Sequence, residues 1–368
     1  MQRTTPPSAS VAARAAVARL TIRLVDELAE ADANLACSGL GLWAALAVLG
    51  SGATGTTAEE LGAALGVRCP EEAAPTLAAV DHDVTSLGGT AHALALWSRV
   101  PTYRAWRDAL PMIGVAHLDD DADLDAWVRD HTDGIIDRVP VAIDDATLVA
   151  LVDALCLVTR WADPFPRHRT EPRPFHAPAG PVDVPTMATL VPAERAGTWR
   201  GTTVVDVPAQ PGDGGRVVLR LGLGVEGAAP PAVVAAVLEA GPDRRAPLPA
   251  DRVDLYVPRF GVRSHHDLVP LLRSVGVRRV LTDDADLPLL SPERLKVSQA
   301  VQEAVVEVDE EGVRAAAVTA MTLVRAAGWA QPPVVVPLHL DRPFAFALLA
   351  ETTGLPLFAG WVADPLTG

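Results

Sequence analysis

Five groups of residues in this chain have types and spacings that could do chemistry. Gly222, Gly224 and Gly227 spell G-x-G-x-x-G after a strand-like run. That pattern seats a dinucleotide's pyrophosphate on the first N–H groups of a helix. Here Ala228, Ala229, Pro230 and Pro231 delay the helix and no ribose-binding acid follows on a second strand, so the glycines read as a loop. Asp119, Asp121, Asp123 and Asp125 alternate like a calcium loop, but Leu124 stands at the turn-glycine place and Asp130 at the place of the bidentate Glu. An acidic helix start, favoured by the helix dipole, fits them better. His265 and His266 are adjacent and read as surface residues of a turn before a helix. Adjacent histidines in a regular element cannot face one metal, and no Cys or carboxylate cluster joins them. Ser38 and Ser51 lack the G-x-S-x-G elbow of a nucleophile. Cys37, Cys69 and Cys156 have no metal spacing and are too few for a disulfide framework. No metal or cofactor is expected, and no nucleophile–base pair marks an enzyme.

The totals narrow the classes further. At 368 residues, 49% hydrophobic and 21% charged, the chain has ample material for a core. A net charge of -15, with only short basic runs such as Arg244-Arg245 and Arg278-Arg279, argues against nucleic-acid binding. The stretch VAARAAVARLTIRLVDELAEAD carries Arg and Glu throughout and lacks the continuous apolar run of a signal peptide, so a cytoplasmic protein is expected. Leu35 to Ala58 contains no charge, yet Ser38, Gly39, Gly41, Gly50, Ser51, Gly52 and Gly55 break it. It reads as a buried core helix near 40–49 rather than a membrane span.

Helical patterns hold most of the first 140 residues: near 10–32, 40–49, 57–65 and 121–136. In the third, Thr57 and Glu60 have the spacing of a capping box. AHALALWSRV alternates as a strand does, whereas TLVALVDALCLVTRW is apolar enough for either a buried strand or a helix. From residue 182 short β-like runs recur between Pro and Gly, with helices at 231–240 and 266–275. Helices first and strands later, without βαβ alternation or a flexible linker, predict one α+β domain with antiparallel sheets.

Five segments, in order, resemble the serpin family: NLACSGLGLWAALAVLGSGATGTTAEEL, LDAWVRDHTDGII, LVDALCLVTRWADPF, LKVSQAVQEAVVEVDEEGVRAAAVTA and RPFAFALLAETTGLPLFAGWVADP. The resemblance implies a single domain over 1–368, with three mainly antiparallel β-sheets, about eight helices and an exposed reactive-centre loop near 310–333. It makes 147–161 a central strand. It also implies a suicide mechanism, in which a serine protease cleaves the loop and the loop then enters the large sheet as a new strand, releasing stored strain.

By that resemblance Glu310, Glu311, Gly312, Val313, Arg314, Ala315, Ala316 and Ala317 form the hinge. The family's usual hinge-to-scissile spacing puts the cleaved bond at Ala326-Ala327, implying an elastase- or subtilisin-like protease. A shift of one residue puts Arg325 at the specificity position and implies a trypsin-like one. The loop's own residues suit insertion. With side chains alternating, Val313, Ala315, Ala317, Thr319, Met321 and Leu323 share one face, which carries no charge. No proline interrupts Gly312 to Gln331, so each N–H can join a ladder.

The chain departs from the family at the positions that let the sheet open. Ser38 is followed by Gly39 instead of proline, and Gly41 stands for a second serine. Asp153 replaces an asparagine and Gln302 a histidine, a pair expected to hydrogen-bond each other. Trp161 keeps the usual tryptophan at the top of the sheet. The region 66–90 looks shortened where the family carries a surface helix. These departures leave a second expectation beside inhibition: a non-inhibitory serpin fold used for binding or chaperoning, or for an unrelated biosynthetic activity.

Overall fold

In the computed structural model the described residues are 9–67, 72–119, 123–132, 134, 138, 147–313 and 333–367. Eight helices, numbered in chain order, fall among them: α1 (Ala9–Leu28), α2 (Gly39–Gly52), α3 (Gly55–Leu65), α4 (Ala73–Thr85), α5 (Arg104–Ala109), α6 (Leu124–His131), α7 (Pro230–Glu239) and α8 (Val269–Ser274). α1 buries Val17, Leu20, Leu24 and Val25, the stripe that a 3.6-residue period puts on one face. α2 is apolar all round and buried on nearly every side, as its lack of charge predicts. α3 ends where Gly66 turns left-handed at φ 69°.

Strands, also in chain order, make up the sheets. A six-stranded antiparallel sheet has the order β1 (Leu35–Cys37), β17 (Pro356–Val362), β16 (Phe344–Ala350), β10 (Val217–Leu223), β9 (Thr202–Pro208) and β8 (Ala196–Trp199). β10, β16 and β17 are buried along their whole length, so they read as continuous apolar runs and do not alternate. A four-stranded sheet has the order β15 (Val335–His339), β11 (Arg252–Pro258), β7 (Gly180–Pro192) and β6 (Glu171–Ala177), with β15 parallel to β11.

The expected large sheet comes in two parts. One has the order β12 (Phe260–Asp267), β13 (Val301–Val308), β14 (Gly312–Val313) and β5 (Thr159–Arg160). The other has the order β3 (Ile113–His117), β2 (Thr90–Ser98) and β4 (Val149–Leu157). Only Val158 separates β4 from β5, so these are halves of one sheet, joined at the top. Lower down they part around a cavity of about 730 Å³ between β4 and residues 295–303, floored by Leu42, Ala45 and Leu46 of α2.

Three local expectations change. The helix at 57–65 starts earlier, with Thr54 at its cap position and no side-chain cap bond. Thr57 is buried instead and accepts the Asp286 N–H at 3.1 Å, while Glu60 accepts the N–H groups of Arg278 and Arg279. Tertiary partners have taken both members of the supposed capping box. His265 and His266 lie in β12, not in a turn, because pairing with β13 continues to Asp267. The helix there is α8, which starts later.

The glycine triad has a packing role. A Cβ on Gly222 would stand 2.1 Å from Cγ2 of Val237, and one on Gly224 2.7 Å from Cγ2 of Val233, so both glycines seat α7 against the sheet. Gly222→Ala is expected to destabilise the fold by about 1–3 kcal/mol through overpacking. Urea denaturation reads that loss; an unchanged midpoint would remove the packing role.

Candidate functional site

Two clusters bracket the cavity. At the top, β14 lies between β13 and β5: Val313 opposes Val308 on one side and Thr159 on the other, and Gly312 opposes Arg160. Gly312 is needed there, because a Cβ would meet the Thr159 carbonyl oxygen at 1.9 Å. Val313 is buried at 3% exposure, so its apolar side chain suits a place in the sheet.

The turn before β14 is clasped from several sides. Asp309 Oδ1 accepts the N–H groups of Glu311 and Gly312. Trp161 is fully buried; its N–H donates to the Glu311 carbonyl at 2.9 Å and its indole Nε1–H to the Asp309 carbonyl at 2.8 Å. Glu311 accepts from Arg167 Nη2 at 3.0 Å. Glu310 is 2% exposed; Arg259 Nε reaches both its oxygens at 3.0 Å and Thr170 Oγ1 donates at 2.6 Å. Burial opposes the Glu310 charge, but Arg259 and Thr170 outweigh it and hold the carboxyl below its ordinary value. Arg314, Ala315, Ala316, Ala317, Arg325, Ala326 and Ala327 lie outside the described residues.

The second cluster sits at mid-sheet. Ser38 caps α2, accepting the Gly41 N–H at 3.1 Å and donating to the Leu357 carbonyl at 2.7 Å. The structure brings Ser38 and Gln302 together: the Ser38 N–H donates to Gln302 Oε1 and Gln302 Nε2 donates to the Ser38 carbonyl, both at 2.8 Å. The expected bond between Asp153 and Gln302 is replaced. Gln302 turns its whole amide to the Ser38 backbone, and Asp153 turns to His92 at 2.8 Å. Gly41 makes room for this, since a Cβ there would stand 2.3 Å from Asp153 Oδ2. The two departures from the family pattern are thus complementary.

Sequence reasoning missed His92 and Asp81. The His92 side chain is fully buried, with Nδ1 2.8 Å from Asp81 Oδ1 and Nε2 2.8 Å from Asp153 Oδ1. A neutral imidazole has one N–H and cannot donate to both carboxylates, so the geometry calls for imidazolium. Burial works against that charge, but the hydrogen bonds and charges of Asp153 and Asp81 win and raise the pKa from 6.5 to about 9. Asp81 belongs to α4, a 13-residue helix without Lys or Arg that stands in the region expected to be shortened.

The other motifs find ordinary places. Asp123 caps α6, accepting the Ala126 N–H at 2.7 Å. His265 is exposed, while His266 on the opposite face of the strand donates to the Ala36 carbonyl at 3.0 Å. Burial of Cys37 pushes its thiol up to about 12, which leaves it unreactive. Among the described residues no group of three or more His, Cys, Asp or Glu is placed to hold a metal, and no helix is long and apolar enough to cross a membrane.

Two tests follow from this geometry. A histidine with a raised folded pKa contributes its full stability below the unfolded value of 6.5 and loses it as pH rises through about 9. His92→Gln is therefore expected to cost roughly 1.5–3 kcal/mol at pH 6, with the gap from wild type closing by pH 10. Urea denaturation against pH reads this, and a gap that does not vary with pH would refute it. Separately, Gly41→Ala and Asp153→Ala are expected to couple in a double-mutant cycle by about 0.5–3 kcal/mol, since alanine at 41 fits only where the carboxylate is gone. Additive effects would remove the complementarity.

Comparison with known proteins agrees with this architecture. The family model described as Serpin (serine protease inhibitor) matches residues 115–365. Putative serpin-Z6C of Oryza sativa subsp. japonica is 30% identical over 424 aligned positions, covering 97% of this chain and 99% of the relative. Among solved structures, Manduca sexta serine protease inhibitor (serpin)-12 is similar at a TM-score of 0.80 and 22% identity, covering 98% of this chain and 99% of that one. Human thyroxine-binding globulin, complexed with thyroxine, is similar at 0.78 and 21%, covering 97% and 98%. With a family match over more than half of its length and a relative at 30% identity along nearly all of it, the chain belongs to the serpin family.

Proposed function

We propose that the chain is a suicide-substrate inhibitor of a serine protease, cleaved at Ala326-Ala327 and trapped by insertion of the loop between β13 and β4. The observation that carries this is the register of β14. It runs antiparallel to β5, so a strand continued in that register beyond Val313 would lie along the edge of β4 that pairs with no described residue. In the inserted state, continuing that register sets Arg314 opposite Val158 and Leu323 opposite Val149. Ala315, Ala317, Thr319, Met321 and Leu323 then share a face with Leu157, Leu155, Asp153 and Leu151. That face meets α2, since Asp153 lies against Gly41. It carries no loop charge. Arg314 falls on the other face, near the top, where it can stay in solvent.

The chemistry is acyl transfer. The protease serine attacks the Ala326 carbonyl, the Ala327 amine leaves, and the ester is held while the new strand forms. Alanine at the cleaved position points to an elastase- or subtilisin-like enzyme. Cleavage one residue earlier, after Arg325, points to a trypsin-like one.

A second reading, a serpin used for binding and not inhibition, has one observation in its favour. Gly41, Asp153 and Gln302 all depart from the usual mid-sheet polar set. The two readings separate in one experiment: incubation with an elastase-like protease, followed by a denaturing gel and a thermal melt. Inhibition predicts a protease-linked band that survives denaturation and a large rise in the melting midpoint. It also predicts that Thr319→Arg, which puts a charge on the core face, is nicked without forming that band. A nicked wild-type chain with no band and an unchanged midpoint would overturn the inhibitory reading.

A further inference from the structure

We infer that His92 is a proton-dependent latch: by holding Asp81 of α4 and Asp153 of β4 together, it ties the β3–β2–β4 half-sheet to the helical layer and slows the parting of β4 from residues 295–303. The latch rests on the inhibitory reading only for its use; its geometry stands without it. His92 is on β2, and Asp153 sits diagonally across on β4, because Leu94 and not His92 is its direct partner. Asp81 comes from a different layer, since α4 packs on α1 and α2 as well as on β2. Widening the cavity would carry β4 and β2 over α2 and α4, and the Asp81–His92 bond would then span the sliding surface.

Among the described residues few other charges act on the ring. α2 has no titratable side chain, and Gln302 on the β13 side is neutral. On β3 the one ionisable side chain belongs to His117, which pairs with Ser98 at the far end of β2. On α4, His82 is exposed and Asp83 is half-buried. The charges of α6 lie behind the sheet, where Leu124 and Val128 pack on Ala150, Val152 and Ala154. Loss of the His92 proton leaves one N–H for two carboxylates, so one side of the latch must open.

Hydrogen exchange of the full chain tests this, comparing the amides of β4 with those of β10 at pH 7 and pH 10 after scaling for intrinsic rates. At pH 7, His92→Gln and Asp81→Asn are expected to speed β4 exchange at least tenfold more than they speed β10 exchange, so that any loss of global stability, which acts on both strands, cancels in the ratio. Wild type is expected to approach the variants at pH 10. Asp81→Asn alters only the helix, so it still decides the matter if His92→Gln folds poorly. Equal β4 exchange in wild type and Asp81→Asn at pH 7, or a wild-type β4-to-β10 ratio that does not change with pH, would overturn the latch. No protease is used, so a chain with this exchange pattern but no protease adduct keeps the latch and loses the inhibitory reading. A chain that forms adduct but shows pH-independent β4 exchange does the reverse.

Discussion

The structure turns on β4, which among the described residues is bonded on one side only. This strand pairs with β2 along its whole length, while its other edge faces a cavity. A free edge inside a sheet is a template for another strand. Residues 295–303 stand across the cavity as a second wall, and α2 forms an apolar floor. β14 already sits at the upper end, antiparallel to both β13 and β5. β13 and β5 therefore run the same way, and a strand entering between them finds antiparallel partners on both sides. The clasp of Trp161, Glu310 and Arg259 would fix where an inserted strand begins, and the register would then fix which loop residues meet the core.

Much of this was legible in the sequence. An uncharged run with glycines at 35–58 can only be satisfied in a core, and α2 is buried there. The glycine of EEGV has its reason in a 1.9 Å approach to the Thr159 carbonyl that no side chain would permit. What stayed hidden depends on register. His92 is one histidine in an alternating strand, and Asp81 is one acid on a helix. Nothing in either pattern says that a diagonal across β4 and a helix in another layer will bring three charges within 2.8 Å contacts. Adjacent polar residues before a helix misled for the same reason: the end of β12 is set by its partner β13, not by the composition of Ser264 to Asp267.

Gly41, Asp153 and Gln302 were visible as single departures, but their meaning is joint. With a side chain at 41, the carboxylate of Asp153 would lose its place. With Asp153 committed to His92, Gln302 is released to bond the Ser38 backbone twice. The polar contacts of mid-sheet therefore run within each wall of the cavity, Asp153 to β2 and Gln302 to the start of α2, and this pair does not bridge the gap.

That arrangement changes what opening costs. A bond between Asp153 and Gln302 would have to break before a strand could pass, leaving two buried polar groups without partners, a penalty of roughly 1–3 kcal/mol each. Here both groups would keep their partners if the walls separated, and the resistance would fall on the interface between the half-sheet and α4, where Asp81 meets His92. A strand entering the cavity would meet a carboxylate already neutralised by an imidazolium, so Asp153 need not be desolvated as a bare charge. The substitutions that look like loss of the usual opening machinery are thus compatible with a sheet that opens, its polar restraint lying not in the gap but in the layer beneath it.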